Sequence, residues 1–249
     1  MGTGASLPVT CSRLSVPVVF NAMLFPDLPD RVAEVRANIR EAVARGGHGQ
    51  QVRIVAVTKT HPPESARAAL AAGVEDVGEN RVQEALSKIE ALPDLPVRWH
   101  LIGHLQRNKV KFVESFELVH AIDSSRLADA VNSWACANER EVNVLLQVNV
   151  SGEGTKGGFP LEVVPEQAES LLQLTGMKVR GVMTMAPYEA PEQTLREVFS
   201  GAREARDVLR AAGHPADELS MGMSGDYQVA VEEGATLVRL GTILFGTRS

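Results

Sequence analysis

The chain has 249 residues, of which 44% are hydrophobic and 22% charged, and these values suit one or two globular domains with a large core. Its formal net charge of −6 provides no basic field for nucleic acid, and no apolar run approaches the roughly 20 residues that cross a bilayer. Two cysteines and six scattered histidines predict neither a disulfide framework nor a metal site, and they fit a reducing cytoplasm.

The first 29 residues contain four prolines and follow no helical or strand periodicity. They predict a flexible N-terminal leader, and they lack the basic flank and small-residue cleavage site of a signal peptide. Met23 is an alternative start of the chain. Asp30 is predicted to cap a first helix, which continues to about Arg45.

From residue 52 onward, short apolar runs alternate with amphipathic segments. The strands are predicted at about 52–58, 76–78, 97–102, 118–122, 142–150, 178–183, 218–221 and 236–240. The helices are predicted at about 64–72, 82–90, from 106, after 123–125, at 165–174, at 191–212 and from near 224. Eight strand–helix repeats without a linker favour a single closed (β/α)₈ barrel over residues 30–249.

A doubly wound open sheet is the alternative fold. Such a sheet would usually carry a Gly-x-Gly-x-x-Gly turn after its first strand. Here the first predicted strand is followed by Thr-Lys-Thr-His-Pro-Pro at 58–63, so the sequence favours the barrel.

The first predicted strand ends in a lysine that continues its apolar face. Val55, Val57 and Lys59 point to one side because successive side chains of a strand alternate. A buried ammonium group is costly unless it is paired or neutralised. Two interpretations follow: a strand-end lysine that reaches water, or an amine of lowered pKa suited to Schiff-base chemistry.

Residues that are not ordinary core residues recur where the predicted strands end, which is where barrel enzymes carry their chemistry. Each has an ordinary structural explanation by itself, but their coincidence on one rim favours a functional site. The residues in question are Lys59, Asn80, His100, Asn149, Met183 and Arg239.

The last two predicted loops, 221–226 and 239–242, indicate a phosphate site. Small residues let backbone N–H groups approach an anion, and a helix beginning near Ser224 would direct its N-terminus at it. Ser224, Gly225, Gly241 and Thr242 are the candidates, and simple helix capping by Ser224 is the alternative. A phosphate facing an amine suggests pyridoxal 5′-phosphate (PLP), or else a phosphorylated sugar bound by a barrel enzyme.

From about residue 30 to 248 the sequence resembles the YggS/PROSC family of PLP-binding proteins, also called PLP homeostasis proteins. The motifs that carry the resemblance include Val-Ala-Val-Thr-Lys-Thr at 55–60, Gly-Glu-Asn-Arg-Val-Gln-Glu at 78–84 and Trp-His-Leu-Ile-Gly-His-Leu-Gln-Arg-Asn-Lys at 99–109. Further motifs stand at 147–151, 156–159, 181–185, 219–226 and 239–246.

The resemblance implies a barrel related to the barrel domain of alanine racemases, with PLP held as a Schiff base on Lys59. It places Arg239 at the pyridine nitrogen, Asn80 near the ring, and the phosphate on Ser224, Gly241 and Thr242. The full candidate cofactor site is Lys59, Asn80, His100, Met183, Ser224, Gly225, Arg239, Gly241 and Thr242.

The implied role is buffering or delivery of PLP in the cytoplasm, as a monomer or weak dimer, with apo PLP-dependent enzymes as recipients. A PLP-dependent racemase of low activity is the alternative. Arg239 stays protonated, so it would leave the pyridine nitrogen unprotonated and the ring a weaker electron sink. Related racemases also use a tyrosine from an extra β domain as second base. Neither Tyr188 nor Tyr227 is expected to take that place.

Overall fold

Eight parallel strands close into a barrel in the computed structural model, which describes residues 24–153 and 157–246. The strands are β1 (Arg53–Val57), β2 (Asp76–Glu79), β3 (Arg98–Leu101), β4 (Leu118–Ile122), β5 (Val142–Asn149), β6 (Phe159–Pro160), β7 (Met177–Met183), β8 (Glu218–Ser220) and β9 (Leu237–Leu240). Hydrogen bonds join them in the order β4-β3-β2-β1-β9-β8-β7-β5, and β5 pairs with β4 to close the ring. The two-residue strand β6 pairs with β5 outside the ring.

This closure confirms the predicted (β/α)₈ barrel and excludes the open doubly wound sheet. The eight predicted strands correspond to the eight strands of the ring, and each boundary agrees within one residue. Residues 1–23 of the predicted leader and Lys156 of the motif at 156–159 lie outside the described residues.

Helices connect the strands on the outside of the ring. They are α1 (Leu28–Gly46), α2 (Glu64–Ala71), α3 (Val82–Ala91), α4 (Ser125–Ala137), α5 (Val164–Leu171), α6 (Glu192–Ala212), α7 (Tyr227–Glu232) and α8 (Thr242–Phe245). Two 3₁₀ segments, Arg107–Ser115 and Leu161–Val163, complete the connections. Across residues 24–153 and 157–246, none of the helices is long and apolar enough to cross a membrane.

Three predicted helix details are wrong. The first helix begins at Leu28, and Asp30 lies in its first turn, because a proline in the first turn needs no hydrogen-bonded N–H group. The segment after β3 is a 3₁₀ helix, and its buried residues, Val110 and Val113, stand three residues apart, a spacing that suits both helix types. The helix after β8 begins at Tyr227 rather than Ser224, because Asp226 first closes a turn with Met223.

The barrel has two apolar layers. The larger one packs the outer faces of the strands against the helices. The smaller cluster joins side chains from five strands, which can meet only across the barrel axis. Its members are Val55, Leu118, Ala121, Leu145, Met183 and Leu237, with Ile102 and Met185 packed against them. The interior is therefore filled by side chains, and a ligand must bind at an end of the barrel.

Candidate functional site

A cavity of about 900 Å³ opens at the carboxyl ends of the strands. Val57 and Lys59 lie on its wall, and Val55 lies deeper in the interior cluster. This confirms the prediction that the three side chains share one face of the first strand. The volume is typical of a pocket for a small molecule.

The structure brings eight of the nine predicted site residues to this one cavity. They are Lys59, Asn80, Met183, Ser224, Gly225, Arg239, Gly241 and Thr242. The ninth, His100, is fully buried inside the barrel and is not part of the cavity lining. Its ring is hydrogen-bonded to Asp76 and His120 instead, so a direct contact between His100 and a ligand in the cavity does not fit the structure.

The two glycine-containing loops form one wall of the cavity. The backbone N–H of Ile243 donates to the Ser224 hydroxyl at 3.3 Å, which joins the loop after β8 to the start of α8. A Cβ atom at Gly225 would meet nothing within 4 Å, and one at Gly241 would lie 3.5 Å from Val57. The wall therefore presents hydroxyl groups and leaves open space beside the backbone.

Arg239 on β9 is a cation that lines the cavity, and it is only 5% exposed. Its Nη1 donates to Ser220 Oγ at 2.7 Å and its Nη2 to the Thr184 carbonyl at 2.9 Å. Burial lowers the pKa of Arg239 to about 10, although the Asp226 carboxylate opposes the shift. The guanidinium group therefore remains protonated at neutral pH.

A buried ion pair that the sequence analysis missed supports the other side of the cavity. Lys88 on α3 is 4% exposed, and its Nζ donates to Glu79 Oε1 at 2.6 Å and to the Thr58 carbonyl at 2.7 Å. Burial raises the pKa of Glu79, although hydrogen bonds from Lys88 and Thr58 oppose the shift. Thr58 and Glu79 directly precede Lys59 and Asn80, so Lys88 ties the backbone before Lys59 to the side chain before Asn80. The spacing of Glu84 and Lys88 along one helix was the available signal.

The two tyrosines differ in their relation to the cavity. Tyr227 is buried, and its hydroxyl accepts a hydrogen bond from Asn38 at 3.1 Å, outside the cavity lining. Tyr188 reaches the rim of the cavity and is 87% exposed. A hydrogen bond to Glu189 raises the pKa of the Tyr188 phenol, so it is protonated at neutral pH.

A parallel eight-stranded barrel with an amine, a guanidinium group and two hydroxyl-bearing loops around one terminal cavity defines a ligand-binding protein of the (β/α)₈ class. The family model for the N-terminal domain of alanine racemase matches residues 31–249. The chain therefore belongs to the family of alanine racemase N-terminal barrel domains.

Within that family, the chain belongs to the pyridoxal phosphate homeostasis proteins. It is 45% identical to the pyridoxal phosphate homeostasis protein of Aquifex aeolicus over 222 residues, which cover 88% of this chain and 97% of the relative. Among solved structures it is similar to PipY of Synechococcus elongatus with PLP bound, at 36% identity and a TM-score of 0.77. That match covers 88% of this chain and all of PipY.

The alanine racemase of Streptomyces coelicolor shares the fold alone. Its identity with this chain is 23% and its TM-score is 0.68, over 87% of this chain and 59% of the racemase.

Proposed function

We propose that this protein binds PLP in the cavity at the carboxyl ends of its strands and serves in intracellular PLP homeostasis. Lys59 anchors the cofactor as a Schiff base. The observation that carries the proposal is the meeting of Lys59, Arg239 and the two loops with Ser224 and Thr242 on one cavity. The family membership supports it, and PipY binds PLP in its solved structure.

The groups that line the cavity fit the groups of PLP. The hydroxyls of Ser224 and Thr242 and the open space at Gly225 suit a phosphate, which prefers close hydrogen-bond donors. Arg239 suits the pyridine nitrogen, because a guanidinium group only donates and that nitrogen can accept. Asn80 and Met183 then lie beside the ring. When bound, PLP supplies an aldehyde that condenses with an amine and releases water.

We infer that the protein carries PLP and does not turn over a substrate. The protonated Arg239 would not transfer a proton to the ring nitrogen, and an unprotonated ring withdraws electrons weakly. Tyr227 is held away by Asn38, and the protonated, exposed Tyr188 is poorly suited as a base. The recipients we propose are apo PLP-dependent enzymes in the cytoplasm. We also propose that the protein is a monomer or weak dimer. Its PLP-binding domain begins near α1, after the leader.

Borohydride reduction of the PLP-treated wild type is the test of the cofactor site. We expect one PLP per chain, fixed to the peptide that contains Lys59 and located by mass spectrometry. Pyridoxal is the matched control ligand. It keeps the aldehyde but lacks the phosphate that Ser224 and Thr242 would bind, so it should label far less. Labelling spread over surface lysines such as Lys111, or equal labelling by pyridoxal, would refute the proposed site.

Exchange of substrate hydrogen in deuterated water tests the absence of turnover. The PLP-loaded protein is expected to exchange the α-hydrogen of alanine or other amino acids no faster than PLP alone. Exchange above that background that is lost in Tyr188→Phe would show catalysis with this tyrosine as a base. In that case the carrier role would have to be replaced by a racemase-like activity.

A further inference from the structure

A continuous chain of buried hydrogen bonds runs through the barrel from Arg239 to Asp76. Arg239 Nη1 lies 2.7 Å from Ser220 Oγ, which lies 2.8 Å from His120 Nδ1. His120 Nε2 lies 2.9 Å from His100 Nδ1, and His100 Nε2 lies 2.8 Å from Asp76 Oδ1. All five side chains are buried, and those of His100, His120 and Ser220 are fully so. The chain links β9, β8, β4, β3 and β2 across the barrel interior.

The two ends of this chain fix the direction of its first and last hydrogen bonds. A guanidinium group can only donate, so Ser220 Oγ accepts from Arg239. An ionised carboxylate can only accept, so His100 Nε2 carries a hydrogen for Asp76. In a neutral His100 ring, Nδ1 then accepts from His120 Nε2. His120 Nδ1 is left to accept from the Ser220 hydroxyl, and every hydrogen in the chain has a partner.

The reverse direction is unfavourable. It would require a charged His100, and His120 Nδ1 would then donate to Ser220 Oγ. Within the described residues, the hydrogen-bond partners of Ser220 Oγ are Arg239 and His120, and both would then be donors. Neither partner could accept the hydrogen of the Ser220 hydroxyl. Burial lowers the pKa of His120 well below its ordinary value, so the His120 ring is neutral in either direction.

Asp76 is a fixed anion at the far end of the chain. Burial by itself would raise its pKa, but hydrogen bonds from Arg98 and His100 and the nearby Arg53 hold that pKa well below the ordinary range. Arg98 contacts both carboxylate oxygens, at 2.7 and 2.8 Å, and Arg53 Nη1 lies 3.2 Å from Oδ1. Arg53 lies on β1 and also bonds Glu218 on β8 at 2.6 Å, so the anchor is tied to one further strand and again to β8.

We propose that Ser220, His120 and His100 are positioning residues of the PLP site, which hold the Arg239 guanidinium in one orientation toward the pyridine nitrogen. This inference rests on the proposed function. Nη1 and Nη2 of Arg239 are each bonded on the barrel side, to Ser220 and Thr184, and the side chain lines the cavity with its remaining surface. A donor that is already fixed loses little freedom when the cofactor binds. The hydrogen bond to the ring nitrogen therefore depends on residues that never touch PLP.

Ser220→Ala breaks the chain next to Arg239 by removing one oxygen atom. Ser65→Ala is the matched control, because Ser65 is also fully buried and donates one hydrogen bond, to the Pro62 carbonyl at 2.7 Å, outside the chain. Both variants are expected to fold with a similar small loss of thermal stability. Only Ser220→Ala should change the absorption spectrum of the bound cofactor, shift the nitrogen NMR signal of ring-labelled PLP, and weaken PLP binding by about tenfold.

His100→Leu and His100→Gln test whether the effect travels along the chain. His100→Leu breaks it two links from Arg239 and should reproduce the spectral change of Ser220→Ala. His100→Gln keeps one acceptor and one donor and should restore part of the wild-type signal. If Ser220→Ala folds with an unchanged nitrogen signal and PLP affinity, the positioning role is wrong, whatever His100→Leu does. If instead wild type forms no reducible attachment at Lys59, the proposed function itself fails.

Discussion

Replacing Lys59 with alanine is expected to abolish borohydride-stable attachment of PLP and to weaken PLP binding by at least about 100-fold. The variant loses the amine that condenses with the aldehyde, and it keeps Arg239 and the hydroxyls of Ser224 and Thr242. Equilibrium binding by absorbance, with reduction and mass spectrometry, measures both effects. We therefore expect weak, reversible binding and not a complete loss of affinity.

Two further variants test whether attachment needs the amine of Lys59 itself. One keeps a positive charge at position 59 without that amine, and the other removes a different lysine. Lys59→Arg keeps a cation at the site but cannot form the Schiff base, so it should also give no reducible product while retaining more reversible binding than Lys59→Ala. Lys111→Ala removes an exposed lysine and should behave as wild type. Full labelling in Lys59→Ala, or its loss in Lys111→Ala, would show that a lysine other than Lys59 anchors PLP.

The backbone around Lys59 explains why its position is well defined. Thr60, directly after it, has a φ of 65°, in the left-handed region that a β-branched residue rarely adopts. Its N–H donates to Glu84, and the Thr58 carbonyl accepts both from Lys88 and from the N–H of His61. Such backbone strain persists only where several surrounding contacts hold the conformation, and it is often found at functional sites.

The sequence predicts the barrel and most of the cavity for a physical reason. Alternation along the first strand places Lys59 on the face of Val55 and Val57, and parallel strands bring their carboxyl ends to one rim. Arg239, Met183 and the glycine-containing loops follow from the same rule. These residues need only their position along a strand, which periodicity supplies.

Strand periodicity cannot predict the role of a residue that depends on contacts distant in sequence. His100 looks like another rim residue, but its ring is directed into the barrel, where it contacts His120 and Asp76. Nothing in the local sequence indicates that Ser220, 100 residues after His120, completes the chain to Arg239. Lys88 resembles an exposed helical residue paired with Glu84 until the packing of α3 buries it against Glu79.

Lys88→Met is expected to lower the free energy of unfolding by about 3–5 kcal/mol at pH 7, measured by urea denaturation. The substitution keeps a long side chain but leaves the fully buried Glu79 carboxylate without its cation. Thr58 still donates to Glu79, so the loss reflects the missing charge and its hydrogen bonds. The double variant Glu79→Gln with Lys88→Met should recover most of the loss, because it removes the uncompensated charge as well. A loss below about 1 kcal/mol would show that the pair contributes little.

The pH dependence of Lys88→Met separates an unpaired charge from a packing defect. Burial already raises the pKa of Glu79, and removing Lys88 raises it further because that cation opposes the shift. A carboxyl whose folded pKa lies above its unfolded value binds its proton more tightly when folded, so stability rises as the pH falls through the folded pKa. The pKa values of Asp76, Glu84 and Glu232 are lowered by folding. These three carboxylates therefore reduce the stability of the protein only as the pH falls below their pKa values in the unfolded chain, near 4. Between pH 7 and about 5 the variant should therefore regain stability relative to wild type, whereas a packing defect would leave the difference constant.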